Sequence, residues 1–354
     1  MQDERLREAS DERPVSSEDV VWCYRNLLKR EPESPAMVER HAAAVPNFHA
    51  LVVRFVTSEE FRKKSGVLQP PPSVQQPPSR VPLDCLPMHA DVDVSLEQLT
   101  ALRDRTAKSW AQLGETEPHF SVLTGEEFRP ANMNDEAVEK FYGTGVVESR
   151  IIEAVLERYG FHDTEHKICV EYGCGLGRVT MALSKYFEHV YGYDVSAPHL
   201  KLAEERRRAV NCDNVDFILL NDLEQEIQRC DFFYSKIVFQ HNPPPVILVL
   251  IETALNSLKV GGIAIFQVPT YGTDYSFHVD DYLRREWQPR METHCFPQAR
   301  VFDAIQQAGC ELLEIREDDA TGKPHWVSNT FVVRRAAKPA EAPAARRSKV
   351  STQQ

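Results

Sequence analysis

The sequence lacks the signatures of several protein classes. Its 8 cysteines include no C-x-x-C pair, and Cys169, Cys174 and Cys230 fall in or beside expected strands. Reduced structural thiols are therefore expected, with neither a disulfide framework nor a zinc site, and no metal ligand set is assigned. Apolar runs are short: residues 246–251 fall far below the length that spans a bilayer. The opening Met1-Gln2-Asp3-Glu4-Arg5 is acidic and has none of the basic, apolar, small-residue order of a signal peptide, so a cytoplasmic location is expected. Positive charge is not in excess either, since 41 Lys and Arg face 53 Asp and Glu, for a formal net charge of -12. Contact with nucleic-acid phosphates needs a concentrated basic surface, so no nucleic-acid partner is expected. No internal repeat is evident.

What the chain does contain is enough length, 354 residues, for a principal α/β core and a smaller module, joined by stiff segments among its 23 prolines. Residues 1–15 are expected to be disordered. Ser16-Ser17-Glu18-Asp19 reads as a helix-capping sequence, followed by Val20, Val21, Tyr24, Leu27 and Leu28 at helical spacing. Ser58 suits the cap of a last short helix, so residues 16–66 are expected to form a small helical domain. Residues 67–83, with Pro70-Pro71-Pro72 and Pro77-Pro78, read as an extended linker. Helical spacing returns in residues 84–160, a lead-in expected to cap the core. Residues 161–335 then alternate strand-like and helical segments, the rhythm of a parallel sheet. The basic, Ala/Pro-rich stretch 336–354 has no apolar periodicity and reads as a disordered tail.

The chemistry gathers where the expected first strand of that core meets glycines: Val170-Glu171-Tyr172-Gly173-Cys174-Gly175-Leu176-Gly177-Arg178. A G-x-G-x-G turn lets a ligand approach the backbone at a helix N-terminus. The dinucleotide fingerprint would need its third glycine at position 178, where this chain has Arg178, so the spacing favours S-adenosylmethionine over NAD. The second strand, His189-Val190-Tyr191-Gly192-Tyr193-Asp194, ends in an acid able to accept both ribose hydroxyls, or else to cap the following helix. After the third strand comes Leu220-Asn221-Asp222-Leu223, where Asp222 is either a nucleobase acceptor or a solvated turn residue.

Taken in order, residues 171–177, Asp194, Asp222, the stretch Asp231-Phe232-Phe233-Tyr234-Ser235-Lys236-Ile237-Val238-Phe239-Gln240-His241 and Leu258-Lys259-Val260-Gly261-Gly262 resemble the motifs of class I S-adenosylmethionine-dependent methyltransferases. The resemblance covers roughly residues 145–335. It implies a Rossmann-like sheet closed by an antiparallel hairpin, formed here by residues 312–316 and 326–333. It also implies S-adenosyl-L-methionine as cofactor, with Glu171 near the methionyl amino group and Gly173, Gly175 and Gly177 beneath the methionine and ribose. Asp194 would take the ribose hydroxyls, and Asp222 and the Leu223 amide the adenine. Glu171 stands where the family more often has aspartate, and Tyr172 where it has an aliphatic residue.

Methyl transfer asks the protein mainly to align an acceptor and, for a hydroxyl, to take its proton. His241 directly follows the fourth strand and is the expected base, with a structural histidine as the alternative. Gln240 and, from the long segment 271–292, Tyr271, Tyr275 and His278 are expected to bind the acceptor, unless that segment merely packs on its own domain. His278 with Asp280 and Asp281 reads more readily as a solvated acidic face than as a cation site. The expected activity is O-methylation of a hydroxylated small molecule or surface-glycan sugar, with N-methylation or a non-catalytic scaffold as alternatives. The N-terminal stretch, through Tyr24-Arg25-Asn26-Leu27-Leu28-Lys29-Arg30-Glu31-Pro32 and Ser58-Glu59-Glu60-Phe61, resembles a domain of unknown function found beside bacterial glycosyltransferases. That resemblance implies a bacterial source and partners among polysaccharide-biosynthesis enzymes.

Overall fold

The computed structural model describes residues 14–56, 58, 60–61, 81 and 85–337. Most of the expected disordered ends and of the linker 67–83 therefore lie outside the described residues. The chain divides into two compact units, residues 1–79 and 80–354. The expected lead-in and catalytic core thus share one unit. None of the eight cysteines is paired. Among the described residues no helix is long and apolar enough to cross a membrane.

In the first unit, helices α1 (Ser17–Asn26), α2 (Pro35–Ala43) and α3 (Phe48–Val56) enclose Val20, Cys23, Tyr24, Leu28, Val38, Leu51 and Phe55. The capping box expected at Ser16 is formed: its hydroxyl accepts from the Asp19 amide, and its own amide donates to the Asp19 carboxylate at 2.8 Å. Ser58 accepts from the Phe61 amide at 3.2 Å, as its sequence position suggested. A bidentate pair from Arg30 to Glu60, at 2.6 and 2.7 Å, ties the α1–α2 connection to the stretch after α3.

The second unit opens with a two-residue strand β1 (His89–Ala90), a long helix α4 (Leu96–Thr116), a short α5 (Pro118–Val122) and α6 (Asp135–Arg158). The sheet follows. Strands β2 (Ile168–Tyr172), β3 (His189–Asp194), β4 (Val215–Leu219), β5 (Cys230–Ser235) and β6 (Leu258–Gly272) are parallel, linked by α7 (Arg178–Leu183), α8 (Ala197–Ala209) and α9 (Pro244–Ser257). A two-residue β7 (Ser276–Phe277), α10 (Val279–Arg284) and α11 (Gln298–Gln307) precede the closing hairpin β8 (Cys310–Asp318) and β9 (Trp326–Arg335). The order is β4-β3-β2-β5-β6-β9-β8, with β9 antiparallel to both neighbours. This is the Rossmann-like class I arrangement, with the hairpin that the sequence anticipated.

Parallel strands buried on both faces require continuous apolar runs, and Phe232, Phe233 and Phe266 are fully buried in this sheet. The strand order reverses between β2 and β5. Chains on either side of that point leave toward opposite flanks, so a crevice opens beyond the strand C-termini. Helix α4 covers it, packing closely on α8, where Gly114 faces the side chains of Ser196 and His199.

Helix α6 meets α7 at Gly145. A Cβ there would stand 1.9 Å from the Arg178 carbonyl oxygen, whereas one at Gly143, on the same helix, would meet nothing within 4 Å. Gly145→Ala is therefore expected to destabilise the chain by roughly 1–3 kcal/mol through overpacking. Gly143→Ala should instead stabilise it by about 0.5–1 kcal/mol, the entropic cost of a helical glycine. Urea unfolding of both variants checks the opposite signs; equal midpoints would contradict the packing.

Candidate functional site

The crevice holds an open cleft, floored by the β2 and β5 ends and roofed by α4 and α5. After Tyr172 the chain turns through Gly173, Gly175 and Gly177 with φ of 76°, 52° and 72°. Such angles are costly for any residue with a Cβ. At Gly173 a Cβ would also sit 2.4 Å from the Val238 methyl groups of the opposite wall. The turn is pinned from β3. The amides of Gly173 and Cys174 donate to the Tyr193 carbonyl at 2.7 and 3.0 Å, and the Gly175 amide donates to Asp194 Oδ2 at 2.8 Å.

Asp194 Oδ1 accepts from the Ser196 amide at 2.9 Å. The carboxylate thus bonds the turn before α8 while also lining the cleft, and the helix cap that the sequence left as its alternative is not formed, since α8 has no side-chain cap bond. Each oxygen keeps a further lone pair for a ligand. Glu171 is buried at the cleft floor and accepts from the Thr180 hydroxyl. Burial pushes its carboxyl up to about 7, against the opposing influences of Thr180 and Arg178. On the far side, exposed Asp222 accepts from the Glu224 amide at 3.0 Å, and Leu223 lies beside it.

Of the residues that the sequence pointed to, Glu171, Gly173, Gly175, Asp194, Asp222 and Leu223 share this cleft. Gly177 does not line it. That residue caps α7 from behind, with Phe217 against its Cα.

The residues expected on the acceptor side are placed elsewhere. His241 is not on the cleft wall. Its Nδ1 lies 2.6 Å from the Glu292 carbonyl oxygen, which can only accept, so Nδ1 carries the proton; Nε2 lies 3.3 Å from the Gln240 amide nitrogen, which can only donate to it. The lone pair that a base would use is engaged, and burial holds the imidazole down at about 4. Gln240 is itself buried, its Oε1 accepting from Gln267 at 3.1 Å. Tyr275 bonds His294 at 3.0 Å and packs on Trp326; Tyr271 donates to the Leu86 carbonyl at 2.6 Å; His278 stacks on His89. Segment 271–292 is thus bound to its own unit, the alternative that its composition also allowed.

Gln240 and His241 nevertheless bear on the cleft indirectly. Ile237, on the wall, has φ of 58°, a left-handed conformation that a β-branched residue adopts only under restraint. Its amide donates to Gln267 Oε1 at 3.0 Å, and Gln267 donates in turn to Gln240 and Ser328. A buried amide chain therefore holds the turn after β5 in place.

Several cleft residues carried no readable signal. Arg103, Thr106 and Trp110 come from α4, and which face of a covering helix looks downward is set by packing. Arg103 donates to the Leu220 carbonyl at 2.6 Å, bracing the roof against the β4 end. His199 on α8 is buried among Ser196, Ser121 and the Pro118 carbonyl, at 2.7, 2.9 and 3.2 Å, which lock α5 to the core. Burial lowers its pKa, although the Asp194 charge opposes this. At the β5 end, Lys236 and Tyr234 both bond Glu148, at 2.8 and 2.6 Å. Burial alone would raise that carboxyl, yet these two partners hold it below the ordinary range.

Residues 169–262 match the family model described as a methyltransferase domain. No curated protein matches the chain. Among solved structures, the magnesium protoporphyrin IX methyltransferase of Synechocystis PCC 6803 with bound SAH is similar at 15% identity and a TM-score of 0.47, over 66% of this chain and 100% of that one. An S-adenosylmethionine-dependent methyltransferase from Clostridium acetobutylicum matches at 13% identity and a TM-score of 0.42, over 62% and 96%. TehB from Haemophilus influenzae matches at 19% and 0.39, over 59% and 66%. The family is S-adenosylmethionine-dependent. The segment that it matches spans β2 to the start of β6, including the glycine turn and the Asp194 and Asp222 positions. This chain therefore carries an S-adenosylmethionine-dependent methyltransferase domain, with residues 169–262 as its recognisable centre.

Proposed function

We propose that the cleft binds S-adenosylmethionine with Asp194 on the ribose hydroxyls, Asp222 and the Leu223 amide on the adenine, and Glu171 near the methionyl ammonium. The methyl would then point toward the space under Trp110 and Ser121. The observation that carries this reading is the convergence of Glu171, the glycine turn, Asp194 and Asp222 on one cleft at the strand C-termini. When bound, the donor supplies an electrophilic methyl; the chain's part is to align the acceptor in line with the sulfur and exclude water.

The acceptor is a hydroxylated small molecule or a sugar. Trp110 offers a face for a ring, while Ser121, Lys236 and Asn242 offer hydrogen-bonding groups around it. The N-terminal unit, if it assembles with polysaccharide-synthesising enzymes, would bring the domain to a surface glycan. Transfer to an amine is the second reading, favoured by the engagement of both His241 nitrogens, because an amine demands less of a base. A purely scaffolding role leaves the cofactor residues without a purpose. Feeding labelled methionine to producing and deletion strains, with mass spectrometry of glycans and small metabolites, locates the acceptor atom; identical label patterns would sink the enzymatic reading.

Three outcomes test the site. Asp194→Asn keeps an acceptor for only one of the two loop amides and loses charged bonds worth roughly 1.5–3 kcal/mol, so calorimetry should show S-adenosylmethionine binding weakened by at least about tenfold. A variant binding as tightly as the parent would remove Asp194 from the ribose.

Glu171 sets a pH dependence. Its carboxyl moves from an ordinary 4.5 to about 7 on folding, so the folded state favours the protonated form. That contribution is complete below pH 4.5 and is lost as pH rises to 7, amounting to roughly 3 kcal/mol. Glu171→Gln should flatten the decline measured by denaturant unfolding between pH 5 and 8 without ligand; a decline of unchanged depth would refute the assignment.

For His241, the expectation is that His241→Asn retains the shape of the pH–rate profile once an acceptor is in hand. Loss of the acidic limb would restore it as the base.

A further inference from the structure

Strands β1 and β7 pair in parallel with His89 opposite Ser276 and Ala90 opposite Phe277, and the Asp91 amide continues the ladder by donating to the Phe277 carbonyl at 3.0 Å. Side chains alternate faces along a strand, so His89 and Asp91 share one face. Paired positions on neighbouring strands also share a face, which places Ser276 and His278 with them. The register thus assembles a cluster that no stretch of sequence displays. Ligand-type atoms of His89, Asp91 and His278 lie within 4.8 Å of one another, and the two imidazoles stack at 4.3 Å between centroids. None of the three lines the methyltransferase cleft.

The cation reading that the sequence disfavoured concerned His278 with Asp280 and Asp281. In the folded chain Asp280 is taken by Gln98 at 3.0 Å and Asp281 by Arg284 at 2.7 Å, and the neighbours of His278 come instead from the lead-in, some 190 positions away in the chain.

We propose that His89, Asp91 and His278 bind a divalent transition cation of the zinc type, independently of the methyl-transfer site. Two imidazoles and one carboxylate are the donor set that such borderline ions prefer, and the exposed face leaves room for water as the fourth ligand. The outer contacts are already present. Asp91 Oδ2 accepts from the Val279 amide at 2.9 Å, orienting the carboxylate, and the Ser276 hydroxyl stands 3.1 Å from His278 Nε2. The 3.0 Å contact of His89 Nε2 with Asp91 Oδ1 occupies the position that the ion would take between them.

A stitch here has a mechanical consequence. Two-residue strands are too short to hold by themselves. The lead-in is also fastened to this region by Tyr271 on the Leu86 carbonyl, by the Arg300–Asp93 pair and, from α4, by Gln98 on Asp280 and Arg105 on the Arg285 carbonyl. Five residues beyond Asp91 begins α4, the helix that roofs the cleft. A bound ion would secure the N-terminal approach of that roof.

Zn²⁺ titrated into the metal-free full chain, followed by calorimetry and by metal content after gel filtration, tests the assignment. One ion per chain is expected, with a rise in Tm by mass action. His89→Ala and His278→Ala should each weaken binding by more than about tenfold, the loss that even outer contacts produce, while the double variant His162→Ala/His166→Ala keeps it. X-ray absorption of the zinc-loaded parent should report two imidazoles and no sulfur, and it decides the matter should the alanine variants fail to fold. Absence of zinc binding by the parent, affinity unchanged in both variants, or sulfur in the first shell would overturn the proposal.

Discussion

The Gly175 amide donates to Asp194, and this bond, with those of Gly173 and Cys174 to the Tyr193 carbonyl, joins the turn after β2 to the end of β3. Its geometry is possible only because the turn runs through left-handed backbone, which brings consecutive amides over the β3 end. Once the loop is held there, Glu171 faces the cleft from one strand and Asp194 from the next, with the crevice at the sheet's reversal between them and β5. The acid of Asp194 therefore serves two ends. It shapes the loop through backbone bonds and keeps free lone pairs toward the space where a nucleoside would lie.

The opposite wall depends on a different constraint. The chain leaving β5 must turn sharply at Ile237, a residue type that resists positive φ, and Gln267 on β6 supplies the acceptor that makes the turn tenable. Gln240, Ser328, His241 and the Glu292 backbone continue this bonding inward. An unsatisfied buried amide is costly, so each member of such a network restrains its neighbours. The histidine beside the site thus belongs to the scaffold of the wall, and its low pKa follows from the same burial.

Much of the fold was legible because its signals are local. The glycine turn, the terminal acid of β3 and the apolar strands each depend on residues close in sequence, and their order along the chain specifies the sheet. Even the capping box at Ser16 is written within four residues. Position along the chain misled where the question was which way a side chain points. Gln240 and His241 stand at the right place after β5, yet they face Gln267 and Glu292, partners far away in sequence. Tyr275 and His278 have the composition of a binding loop, but they serve the packing of that loop.

The sequence by itself determined the alternation of strands and helices, the loop that must pass close to a ligand, and the acids at the ends of successive strands, since all are encoded in local spacing and backbone preference. Only the tertiary structure decided which face of α4 roofs the cleft, where the His241 lone pair goes, and that His89 and Asp91 meet His278. Those outcomes rest on strand register and helix packing between segments distant in the chain, where a side chain's neighbours are set by the global arrangement rather than by the residues beside it.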